Sequence, residues 1–150
     1  MLLCLLLTLV FPQTQGHDRA AMGMGFDQHT TAHHFNLFAD GGSIAVGVKD
    51  EKDAKEREAI RSHLRHIATK FGDGDFEAPM LVHDTKNVPG IAVLAERKTA
   101  ITYRYADTPR GGRVDIVTTD PAALAALHEF LRYQIREHAT GDPETIGPRR

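Results

Sequence analysis

The chain is poor in the residues that usually announce chemistry. Among 150 residues it has one cysteine and no tryptophan. The cysteine, Cys4, sits in the extreme N-terminal stretch, so no intramolecular disulfide can form and a multi-thiolate metal site is excluded. Neither sign of charge dominates: the formal net charge of −2 removes any electrostatic case for nucleic acid. No apolar run reaches bilayer-spanning length; that at Leu2–Phe11 is too short. There is no G-x-S-x-G elbow, Walker A loop, H-E-x-x-H or C-x-x-C. Gly23-Met24-Gly25 lacks the third glycine of a dinucleotide loop. Asp73–Asp84 begins like a calcium loop, but Ala78 stands where glycine is needed and Asp84 where glutamate is, so it reads as a solvated turn.

What remains is ordinary globular material, 41% apolar and 25% charged, enough for one domain with a core. Residues 1–21 read as an export signal: an apolar h-region at Leu2–Phe11, then small residues around Gly16 or Ala20-Ala21. Cys4 lies too early in that run to be a lipid-attachment site. The expectation is a periplasmic or secreted protein with no stable membrane anchor once the signal is removed. Residues 22–31 are polar and unpatterned and read as a flexible arm, ordered from about Phe26. Residues 32–142 form one domain, and 143–150 a loose tail.

Within the domain one unit is written twice, at 32–75 and 101–142, with an insertion at 76–100. Each unit alternates with period two, breaks at a double glycine (Gly41-Gly42, Gly111-Gly112), resumes the alternation, then switches to helical spacing. Ala39-Asp40 matches Ala106-Asp107 at an offset of 67, the glycine block matches at 70, and Ala59–Arg65 matches Ala126–Arg132 at 67 again. That places a three-residue step in the hairpin turn and another before the helix. Asp53 with Glu56 caps the first helix; Asp120 with Pro121 starts the second. Gly72 and Gly141 are expected to end them. Pro79–His83 is expected as a short strand, and Ile91–Lys98 as a short helix or strand. The fold class is α+β: two ββα repeats forming a four-stranded antiparallel sheet with two helices on one face. Exposed edges on such a sheet make a homodimer an expectation.

The abundant residue is histidine, nine in all. His29, His33 and His34 fall within six residues, with Met22 and Met24 just upstream. Imidazoles suit copper and zinc, and thioethers select Cu(I), so this cluster is the candidate metal site, with His83 as the distant ligand. His63 and His66 lie beside the first helix's apolar stripe. Their second-unit counterparts are Phe130 and Tyr133, which favours packing roles. His138 stands where the first unit has Phe71, again at the core edge. His128 and His138 are about 15 Å apart along their helix and cannot share one metal. A pH response through the histidines is a further reading.

Phe26-Asp27-Gln28, His33-His34-Phe35, Asp40-Gly41-Gly42, Ile60–Ile67, Gly74-Asp75-Phe76, Val88-Pro89-Gly90 and Gly111–Asp142 resemble a group of small, uncharacterised bacterial proteins that carry an export signal. The resemblance covers about residues 24–142 and implies export and a compact single domain. Members sometimes carry the label aspartate carbamoyltransferase. This chain is about half a usual catalytic subunit and holds no Ser-Thr-Arg-Thr phosphate-binding run.

The functional expectation is an exported copper- or zinc-binding protein acting in binding, buffering or delivery rather than catalysis. The alternatives are a metal-free module for a protein or small ligand, and a small hydrolase with His33 or His83 as general base.

Overall fold

Two double glycines, at Gly41-Gly42 and Gly111-Gly112, each open a strand and fix the architecture. The computed structural model describes residues 24–149; the expected signal, Met22 and Cys4 lie outside the described residues. Strands β1 (Thr31–Phe38) and β2 (Gly41–Val48) form one hairpin, β3 (Ile101–Thr108) and β4 (Gly111–Thr118) the other. The helices are α1 (Ala54–Gly72), α2 (Glu77–Val82), α3 (Ile91–Glu96) and α4 (Pro121–Glu137), and a two-residue strand β5 (Ile146–Gly147) ends the chain. The sheet order is β3-β4-β2-β1-β5.

The α+β class holds. The sheet, however, has five strands rather than four and is mixed, because β5 pairs parallel to β1. Four helices are present among the described residues rather than two. The expected loose tail is tied down at Arg149, which is 2.9 Å from Asp40 and stacks over the Phe38 ring. Pro79–His83 is helical, not extended: Pro79 falls in the first turn of α2, where its missing N–H costs nothing.

Both helix starts follow their caps, with Asp53 accepting from the Glu56 amide and Asp120 from the Ala123 amide. Glu56 does not close the capping box. Its carboxylate accepts instead from the Asp27 amide at 2.6 Å and so holds the N-terminal segment, whose Met24 and Phe26 are buried in the core. The first helix ends at its expected glycine, Gly72, whereas α4 ends at Glu137, short of Gly141. Asp73 caps α1 and His138 caps α4, with Ala139 in the left-handed region at φ +48°.

The strand registers show how the two ββα units correspond. Thr31 pairs with Val48 and Ile101 with Thr118, so β1 maps onto β3 and β2 onto β4 at a uniform offset of 70. The match of Ala39-Asp40 to Ala106-Asp107 is therefore out of register, and the two hairpin turns have equal length. The single three-residue step falls before the helix, between β2 and Asp53. At the centre of the β2–β4 pairing, Ile44 faces Val114, its own counterpart. Antiparallel strands that meet at equivalent residues are related by an approximate twofold axis, and this one passes through the middle of the sheet.

The twofold relation explains the glycines. A Cβ at Gly41 would sit 1.9 Å from the Ile116 carbonyl oxygen, and one at Gly111 would sit 2.2 Å from that of Val46. Val46 and Ile116 are counterparts, so the same close approach occurs twice. The helices are exchanged across the axis: α1 lies over β3 and β4, while α4 lies over β1 and β2. Each helix also clasps the turn of the hairpin it covers. Arg61 donates to the Thr108 and Gly111 carbonyls, both at 3.0 Å. His128, the counterpart of Arg61, has Nε2 at 2.9 and 3.0 Å from the carbonyls of Phe38 and Gly41. Carbonyls only accept, so this nitrogen carries the proton and donates to both. His128 is thus a structural clasp. No helix among the described residues is long and apolar enough to cross a membrane.

Candidate functional site

Apart from β5 and the inserted helices α2 and α3, the twofold relation is broken in one cluster of core side chains. Where α1 crosses β3, Phe71 packs edge-on against Tyr103 and Phe130, with ring centres 5.9 Å away in each case. The counterparts of these three residues are His138, His33 and His63. A fourth position follows the same rule: Ile67, buried, has Gln134 as its counterpart, also buried. One set is therefore hydrocarbon and one phenol where the other carries ring or amide nitrogen.

The nitrogen-bearing residues, together with three of their counterparts, Ile67, Phe71 and Phe130, line a cavity of about 70 Å³ between α1, α2, α4 and the β1–β2 hairpin. His33, His63, His83, His138, Met24 and Gln134 all reach its wall, and the rest of the lining is apolar. Strand alternation sends His33 inward. The helical stripe that buries Leu64 carries His63 beside it. His83 and His138 are the capping residues of α2 and α4. The residues after them, Asp84 and Ala139, are the only non-glycine residues with positive φ among those described, at +49° and +48°. Such backbone strain concentrates at functional sites.

His138 is the hub. Its ring centre is 5.0 Å from that of His33 and 5.1 Å from that of His83. Phe26 stands between His33 and His63, at 5.8 and 5.4 Å. His83 Nε2 is 3.0 Å from Gln134 Oε1. An amide oxygen only accepts, so His83 carries its proton on Nε2 and keeps the Nδ1 lone pair. Two buried nitrogens have no partner among the described residues, His33 Nε2 and Gln134 Nε2.

Burial pushes the imidazole of His33 down to about 4, with His63 and His34 adding smaller effects. Burial lowers His63 to about 4, aided by His66, and His138 to about 3, aided by His33 and His83. All three are neutral at pH 7 and so hold the lone pair that a metal ligand requires. The side chains as placed stack rather than surround a point: among the described residues no three His, Cys, Asp or Glu side chains form a metal-holding group.

Of the candidates named from sequence, Met24, His33 and His83 come together in this cavity. His29 lies in the exposed segment before β1, its amide bonded to Asp27. His34 points to the opposite sheet face, where its Nδ1 is 3.0 Å from Asp142. Sequence reasoning assigned His63 and His138 to packing; their phenyl counterparts were the signal that they differ. Among the described residues the cavity wall holds no hydroxyl or carboxylate.

The face of the sheet away from the helices carries a groove of about 610 Å³, bounded by the C-terminal tail and lined by His34, Asn36, Ser43 and Arg113. Comparison with protein-family models, curated proteins and solved structures finds no match to this chain.

Proposed function

We propose that the protein binds one transition-metal ion, copper or zinc, in the cavity between the exchanged helices, and that it acts after export in binding, buffering or delivery. The observation that carries this reading is the set of four nitrogen-bearing residues whose counterparts across the twofold axis are Tyr103, Phe130, Ile67 and Phe71. Those counterparts fold the same unit with hydrocarbon and a phenol, so the fold itself does not call for the nitrogens. His33, His83 and His138 are the primary ligands, with His63 and Met24 further round the wall. Two imidazoles on one ion, each about 2 Å from it by nitrogen, have ring centres about 5 Å apart, the spacing found at His138. Rotation of the rings brings their lone pairs to the ion. Gln134, holding His83 by its other nitrogen, is the outer partner that metal-bound histidines usually have. His29 and His34, part of the expected cluster, do not belong to this site.

The test is a metal titration of the full chain carrying Cys4→Ser against a competing chelator, repeated with His33→Gln and His138→Phe together. One equivalent bound, and lost in the double variant, is expected. His138→Phe restores the ring found at Phe71, and circular dichroism checks that the fold is kept. Binding unchanged by the two substitutions would remove this site.

The finer fold reading is also ours: the two ββα units are copies of one ancestral unit, supported by the uniform strand offset and the matching turn clasps. A second functional reading, a module for a small ligand, is favoured by the groove on the open sheet face. It predicts ligand binding lost with Arg113→Ala and indifferent to His138→Phe.

A further inference from the structure

We propose that the cavity selects monovalent copper, Cu(I), over Zn(II) and Cu(II). This rests on the metal-binding reading above and adds to it the charge and softness of the ion. The argument begins with what faces the cavity. Among the described residues its wall contains no Asp, Glu, Cys, Tyr, Lys or Arg. The donors that reach it among the described residues carry no negative charge: imidazole nitrogens from His33, His63, His83 and His138, the Met24 thioether and the Gln134 carboxamide. The rest is hydrocarbon from Phe26, Phe35, Ile44, Val46 and their neighbours.

The cost of moving an ion from water into such surroundings grows with the square of its charge, so a divalent ion pays about four times what a monovalent one does. A Zn(II) or Cu(II) site ordinarily meets that cost with thiolate, carboxylate or a bound hydroxide. Here no group among the described residues supplies the negative charge, and a divalent ion would have to bring an anion into an apolar space. Cu(I) needs less compensation.

Softness points the same way. Met24 is 7% exposed and packed among the core side chains, so its side chain, which lines the cavity, is held there rather than on a free arm. Thioether sulfur discriminates for Cu(I) and against Zn(II), while imidazole serves both.

The experiment uses the full chain with Cys4→Ser, which removes the thiol that would otherwise compete for Cu(I). Cu(I) is titrated anaerobically against a chromophoric Cu(I) chelator, and Zn(II) and Cu(II) against divalent chelators, with the Met24→Leu protein in parallel. Leucine keeps the volume and apolar character of Met24, so the fold is retained. The expected result is one equivalent of Cu(I), bound at least roughly 1,000-fold more tightly than Zn(II). Met24→Leu is expected to weaken Cu(I) by about tenfold or more and to leave Zn(II) within about twofold. Zn(II) or Cu(II) binding as tightly as Cu(I), still lost with His33→Gln and His138→Phe, would overturn the selection and leave the metal site standing. Failure of all three ions to bind would overturn both.

Discussion

The two halves related by the twofold axis solve one packing problem with different chemistry. Over β3, the end of α1 places Phe71 against Tyr103 and Phe130. Over β1, the end of α4 places His138 against His33, with His63 nearby. Phenyl and imidazole rings have similar flat shapes, and either can fill the space. They differ in cost: hydrocarbon gains by burial, whereas an imidazole nitrogen buried without a partner costs about 1–3 kcal/mol. His33 Nε2 bears that cost. Tyr103, its counterpart, also leaves a buried hydroxyl unpartnered, so the first half is not free of strain either. The lesson is that a symmetric scaffold lets each departure from symmetry be read against an internal control.

The comparison is broken most severely at the features both halves share. Gly41→Ala and Gly111→Ala each force a Cβ into a carbonyl of the opposite unit, and each is expected to lose about 3 kcal/mol or more in urea unfolding. A loss below about 1 kcal/mol at either position would mean that the strands approach less closely there than the twofold relation requires.

The next effect belongs to one half alone. His33, His63 and His138 have folded-state pKa values below the unfolded value of about 6.5. The unfolded chain therefore binds more protons as pH falls. Their contribution is fully present above pH 6.5, declines as pH drops, and is exhausted near pH 4 for His33 and His63 and near pH 3 for His138. The metal-free protein should lose stability over this window, by about 3 kcal/mol for a single site, with less than additive totals because the rings see one another. A variant that copies the other half, His33→Tyr with His63→Phe and His138→Phe, should flatten this part of the profile. If its unfolding midpoint falls with pH as steeply as that of the parent, the acid sensitivity arises elsewhere.

The turn clasps sharpen the comparison at smaller scale. His128→Leu strands the Phe38 and Gly41 carbonyls in a buried site and should cost about 2 kcal/mol. Arg61→Leu exposes its two carbonyls at a wetter position and should cost about 1 kcal/mol. Reversal of that order in thermal unfolding would mean the two clasps are not equivalent. The smallest effect concerns helix ends. The left-handed Gly74 after α1 has a left-handed counterpart in Gly141 after α4, but α4 is followed by one more left-handed residue, Ala139. Ala139→Gly should raise stability by about 0.5–1 kcal/mol.

Local chemistry made much of this legible in advance. The caps at Asp53 and Asp120, the double-glycine turns and the apolar stripe of α1 all depend on near neighbours in the chain, and they hold. The register between the units follows equal turn length and not the shared Ala-Asp pair, which a local match of residue types does not reveal. The cavity was only half legible. His33, His83 and Met24 were singled out, but they were grouped with His29 and His34 by closeness in sequence. In an extended strand adjacent residues face opposite sides, which parts His34 from His33. His63 and His138 meet the cavity only because each helix crosses to the other hairpin, a non-local choice that no window of residues encodes.

That crossing also decides what the chain can be divided into. A cut between α1 and β3 separates two pieces of similar design, yet each keeps a helix whose greasy stripe fits the strands of the other. Neither piece owns a finished interior. The protein is in effect a heterodimer tethered into one molecule, and the tether between α1 and β3 works by keeping the concentration of each piece around the other permanently high.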